Sequence, residues 1–144
     1  MSRALGDLLA SATFFAAIAH DFTKGHKDEL EAAAVILETE AKDLIGIPHG
    51  EWPPLAAVTI ERKGMNSPLL DTGEMKDSIT HNSDAKEAHV GSNNKKLLYH
   101  EFGSINKPWN TTNPARPVLG LAVIKAEPAI TAAVGRVTMT RLVK

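Results

Sequence analysis

The sequence predicts an α+β domain, with two N-terminal helices and one C-terminal helix packed on a small antiparallel sheet. Three observations carry this prediction. Up to Leu44, apolar residues recur at three- and four-residue steps, which a 3.6-residue helix collects on one side. Around Ile79 and Val90, two short extended stretches flank a polar segment in the manner of a hairpin. From Pro117 to Val143 the chain returns to helical composition. With 144 residues and 43% hydrophobic content, one domain spanning 1–144 is expected, with a helical N-terminal region over 1–46 followed by a hairpin, a loop and a last helix over 47–144.

The N-terminal helix is placed from Ser2 to about Phe22 by Leu5, Leu8, Leu9, Ala12, Phe15, Ala16 and Ala19. A signal peptide or membrane span is the rival. Asp7, Ser11 and Thr13 interrupt its apolar run, however, and the run stops at His20-Asp21, short of the roughly 20 residues a span requires. A soluble amphipathic helix is expected, with no membrane partner. In the second helix Leu30, Ala34, Leu37, Ala41 and Leu44 alternate steps of four and three. Its remaining faces, among them Glu29, Glu31 and Glu38, read as a solvated surface. Gly46 and Pro48 end it.

Residues 46–68 form an extended connector, punctuated by Pro48, Trp52, Pro53, Pro54 and Gly64 and holding about one helical turn. Asp71 stands three residues before Glu74, the spacing of a capping box, with Thr72 as rival cap, so a short helix should begin near Gly73. The hairpin pairs 78–81 with 87–91 around Asn82 to Lys86. After LLYHEFGS (97–104), the stretch INKPWNTTNPA (105–115) predicts turns or disorder. Pro117 suits a first helical position, and Pro128 predicts a kink or restart near Glu127.

Sixteen Lys and Arg against seventeen Asp and Glu give a net charge of -1, so no overall field draws the chain to nucleic acid or anionic membrane. The absence of cysteine removes disulfides, thiolate nucleophiles and Cys-type zinc sites. His100-Glu101 begins a zinc-protease helix motif, but position 104 is Ser104 where the second histidine would stand. Asp71-Thr72-Gly73 matches one half of an aspartic-protease dyad, which a single copy supplies only as a dimer. His81 and His89 could face each other across the hairpin. Neither the GxSxG nucleophile elbow nor either of the glycine-rich nucleotide loops is present. The expectation is a protein without catalytic residues, metal or cofactor. A metal-dependent hydrolase using His100 and Glu101 is the alternative of a different class.

Five pieces of the chain, in order, resemble the phage tail-component and virion-morphogenesis family, which acts at the head-tail junction of long-tailed phages. They are WPPLAAVTIERKG (52–64), PLLDTGEMKDSI (68–79), VGS (90–92), YHEFGS (99–104) and PARPVLGLA (114–122). The chain departs from the family in Val118, where members commonly have an aromatic, and in Lys96, near an expected tyrosine. The resemblance implies a ring of six or twelve copies in the virion neck, assembled in the bacterial host cytoplasm as a tail-completion or neck protein. Its implied partners are portal-side connector or head-completion proteins on one side and a tail terminator or tail-tube protein on the other. Contact with DNA in the channel is left open. A tail terminator or morphogenesis factor is the nearest alternative.

Within LLYHEFGS, Phe102 is expected in the core, Gly103 at a chain reversal, and Glu101 free to pair with a basic partner, Arg116 being one candidate. Glu101 and Arg116 are read either as part of a ring interface or as ordinary surface charges, the two readings standing level. Trp52, Asp71, Gly73 and Pro117 complete the candidate structural and interface residues. The apolar faces of the first two helices exceed what a small hairpin covers, so subunits are expected to associate.

Overall fold

A computed structural model of the chain describes residues 26–143, with side chains through residue 136. The expected helix from Ser2 to Phe22 lies outside the described residues. Helix α1 (Lys27–Leu44) follows the predicted second helix, burying Ala34, Ala41 and Leu44 along the heptad stripe. Glu29, read from the sequence as solvated, is buried as well. At the other end of the domain, α5 (Leu119–Val143) lies against α1 and buries Ala122, Ala126 and Ala133. Alanine on both helices permits close approach of the two backbones, since interaxial distance follows side-chain size.

Strands β1 (Ile79–Ser83) and β2 (Ala88–Ser92) form the predicted antiparallel hairpin, in register from Ile79 opposite Ser92 to Ser83 opposite Ala88. Both pack on α1. The tip is an Asx turn in which the Asp84 carboxylate accepts from the amides of Lys86 and Glu87. Directly paired residues share a face, so His81 lies with Val90 toward α1 while His89 lies with Asn82 on the other side. The two histidines therefore do not meet across the hairpin. His81 instead reaches Glu38 through Nδ1 and Glu31 through Nε2, carboxylates seven residues apart on α1.

The connector holds more helix than expected: α2 (Ala57–Lys63) makes seven residues and ends on Gly64 in the left-handed region. Helix α3 (Glu74–Asp77) starts where predicted, but its N-cap is Gly73, at φ 88°, and no side chain caps it. The Asp71–Glu74 capping box does not form. The Glu74 amide points to Thr72 Oγ1 at 3.4 Å.

A further helix, not among the expected elements, runs through most of the LLYHEFGS segment. Asn94 accepts from the Lys96 amide at 3.0 Å and opens α4 (Lys95–Phe102), which Gly103 closes at φ 75°. Residues 104–113, expected as turns or disorder, pair as a second hairpin, β3 (Ser104–Asn106) with β4 (Thr111–Asn113), around a 3₁₀ turn at Lys107–Trp109. Helix α5 runs through Pro128 without restarting. Pro128 sits on its exposed side, where water can take the carbonyl left without an amide.

The core gathers Ile45, Trp52, Met75, Ile79, Leu97 and Val118 between these elements. Val118 is fully buried, so a small side chain fits where the resembled family has an aromatic. The chain is thus mixed helix and small antiparallel sheets, an α+β arrangement. No helix among the described residues is long and apolar enough to cross a membrane.

Candidate functional site

Residues 52–54, Glu101 and 116–120, far apart in sequence, meet at the start of α5. Trp52 is buried and its indole N–H donates to the carbonyl of Pro117 at 2.9 Å. Arg116 returns the connection: its Nε donates to the carbonyl of Pro53 at 2.9 Å and its Nη2 to that of Pro54 at 3.0 Å. Successive prolines hold the chain extended and leave these carbonyls outside any helix or ladder. The two segments therefore clasp each other, 52–54 against 116–117, across more than sixty residues of sequence. A further strut joins Glu51 to Lys125 of α5 at 2.9 Å. Pro117 lies two residues ahead of α5, with Val118 between them, so it is not the first helical residue.

Glu101 completes the joint from α4. One carboxylate oxygen accepts from the amides of Val118 and Leu119 at 2.7 and 3.0 Å, and the other from Gly120 at 2.7 Å. These amides open α5 and have no partner within the helix, so Glu101 acts as a remote cap and places negative charge at the positive end of the helix dipole. Within the chain Glu101 and Arg116 do not pair with each other. Glu101 is committed to backbone amides and Arg116 to proline carbonyls.

Burial reverses the expectation for two residues. Phe102, expected in the core, is 76% exposed, while Arg116, expected at a subunit surface, is 8% exposed. The reason for the first is helical phase. Leu97 takes the buried face of α4, which leaves Leu98, Tyr99 and Phe102 on the outward side. Arg116 is buried because its guanidinium is the tie between connector and helix, and that burial pulls its pKa down from the usual arginine value. His100, on α4 beside Arg116, is likewise shifted down, first by burial and then by the arginine's charge.

Gly103 turns the chain as expected. A Cβ there would stand 3.0 Å from the Asn113 carbonyl oxygen and 3.1 Å from the Ala115 amide nitrogen, so the positive φ and the close approach both call for glycine. Beyond it the β3–β4 arm carries Ile105 and Trp109, the latter 77% exposed. Residues 98–109 thus present five large hydrophobic side chains to solvent: Leu98, Tyr99, Phe102, Ile105 and Trp109. Asp71 and Gly73 lie apart from this surface, on the wall of a cleft between α2 and α4. Among the described residues, no three His, Asp or Glu side chains are grouped to hold a metal ion.

No protein-family model, curated protein or solved structure matches the chain significantly. The joint and the arm therefore have to be interpreted from their own chemistry.

Proposed function

We propose that the chain is a structural, non-enzymatic component of a tailed-phage particle, a tail-completion or neck subunit that forms a ring at the head-tail junction. The observation that carries this reading is the apolar strip on α4 and the β3–β4 arm. Fully burying a side chain such as Leu or Phe contributes about 1.5–3 kcal/mol, so five of them left in water by one copy favour a neighbour that covers them. The roles of Glu101 and Arg116 inside the fold support the same reading. Glu101 is occupied in capping a helix and Arg116 in bracing the connector, roles that build a rigid seat for the arm. The six or twelve copies, the portal-side and tail-side partners and any contact with DNA in the channel rest on the family resemblance.

The test is complementation of a phage deleted for this gene, combined with imaging of the particles. Label on the intact chain should mark only the neck, and Trp109→Ala or Phe102→Ala protein, folded as judged by its melting curve, should leave filled heads and separate tails of normal length. Tails of uncontrolled length would assign the chain to the terminator role instead. Full infectivity with both variants would remove the strip from assembly.

A further inference from the structure

A cleft of about 860 Å³ opens between α2, the segment 69–75 and the face of α4 that carries Lys96 and His100, with Arg116 at its inner end. Its charges are uneven. Arg116 is a buried cation whose side chain, among the described residues, hydrogen-bonds only to the two neutral proline carbonyls, so no carboxylate there compensates it. Next to it, Nδ1 of His100 is fully buried and has no hydrogen-bond partner among the described residues. On the rim, Arg62 of α2 makes no side-chain ion pair or hydrogen bond with any described residue. Of the two acids lining the cleft, Glu74 is engaged by Lys96 at 3.7 Å and by Asn94 at 3.5 Å, and Asp71 lies on the exposed side. The same cleft has an apolar side formed by Leu55, Met65 and Leu69.

A buried guanidinium without a counter-ion is costly, and an anion that reaches it while shielded from water offsets that cost. The volume lies within the range of sites that enclose several linked groups rather than one small ion. We propose that this cleft binds an extended acidic peptide segment of a partner protein. A carboxylate of the segment sits at the Arg116–His100 end, a second meets Arg62, and the intervening apolar side chains rest on Leu55, Met65 and Leu69. The site is separate from the apolar strip and does not depend on which assembly the chain joins.

The experiment titrates the full chain with a short synthetic peptide of alternating leucine and glutamate, following the His100 ring signals by NMR and affinity by calorimetry. Binding should weaken with added salt. It should also weaken by about tenfold or more in Arg62→Ala, whose exposed position leaves the melting temperature unchanged. Burial, the larger cause of the lowered His100 pKa, stays in place, so the bound carboxylate should move the titration upward only by offsetting the lesser cause, the Arg116 charge. Three outcomes overturn the proposal: equal binding of the same peptide with glutamine for glutamate, unchanged affinity in Arg62→Ala, or a His100 response to inorganic phosphate as large as that to the peptide. The last would identify a site for a small oxyanion rather than for a peptide.

Discussion

In the first hairpin Ile79 is fully buried and alternate residues of β1 face α1, whereas in the second every residue after Ser104 is exposed and Ile105 stands 68% in solvent. Both have short strands of mixed polar and β-branched residues closed by a turn. The difference lies in what is beneath them. The β1–β2 hairpin rests on a helix, so its pairing and its packing support each other. An isolated two-stranded hairpin is marginal in water, and β3–β4 has no layer under it among the described residues. Its order comes from its base, where Gly103 lies against Asn113 and Ala115 and the Arg116 amide donates to the His100 carbonyl at 2.7 Å. Strand pairing is thus a local property of turn and β-branched chemistry, and burial is a separate decision made by the rest of the chain.

The largest effect should separate the two hairpins outright. Ile79→Ala removes a fully buried side chain and should cost about 2–5 kcal/mol in a denaturant melt. The corresponding Ile105→Ala should stay within about 0.5 kcal/mol. Equal losses would mean that the second hairpin is packed after all. Next comes the seat of the arm: Arg116→Ala leaves the Pro53 and Pro54 carbonyls without their donors and should cost about 1–3 kcal/mol. Glu101→Ala removes the remote cap and should cost about 0.5–2 kcal/mol, read as lower stability together with faster amide exchange at Val118 to Gly120.

The smallest effect is a pH dependence confined to the first hairpin. Hydrogen bonds to Glu38 and then Glu31 raise the His81 pKa, so its contribution is fully present below the ordinary histidine value and fades as pH rises through the raised one. Glu31 is held low chiefly by Ser83 and Glu38 chiefly by Lys42, each with help from His81, so their contributions fade only as pH falls from the ordinary carboxylate range through the lowered values. The difference in melting temperature between the native chain and His81→Gln should therefore be larger at pH 6 than at pH 9. A constant difference would show that His81 acts through packing alone. His100 runs the opposite way. Its lowered pKa makes the native state less favourable as pH drops below the ordinary histidine value, so the comparison with His81→Gln is needed to isolate the hairpin.

The heptad stripe of α1, the first hairpin and the last helix were all legible because each is written in neighbouring residues, such as Leu30, Ala34 and Leu37, or Asp84 at its turn. The joint was not, because its partners lie far apart in sequence. Nothing near Glu101 indicates that its carboxylate meets amides beginning seventeen residues later, and nothing near Arg116 points to carbonyls more than sixty residues back. Helix α4 had a usable signal in Asn94 as a cap and Gly103 as a stop. The second hairpin had one in Ile105 and Thr111-Thr112 on either side of a turn containing Pro108 and Asn110, the latter at φ 46°. In that segment the abundance of turn residues described the turn correctly and obscured the strands. The expected burial of Phe102 followed from its hydrophobicity. Without the helix, its phase relative to Leu97 could not be counted.

The closed base of the arm also bears on how this protein can change over generations. Since the Arg116 amide is bonded to the His100 carbonyl and Gly103 lies against Asn113 and Ala115, the stretch between Gly103 and Asn113 enters stability as a tethered loop, whose cost grows with the logarithm of its length. Doubling it adds only about 0.6 kcal/mol. Insertions, deletions and new sequence are therefore tolerated between these two residues far better than in the first hairpin, where a one-residue slip would turn Ile79 away from the core. The arm is an exchangeable cassette on a constant body, free to be rewritten for a different neighbour while the clasp, the cap and the core stay as they are.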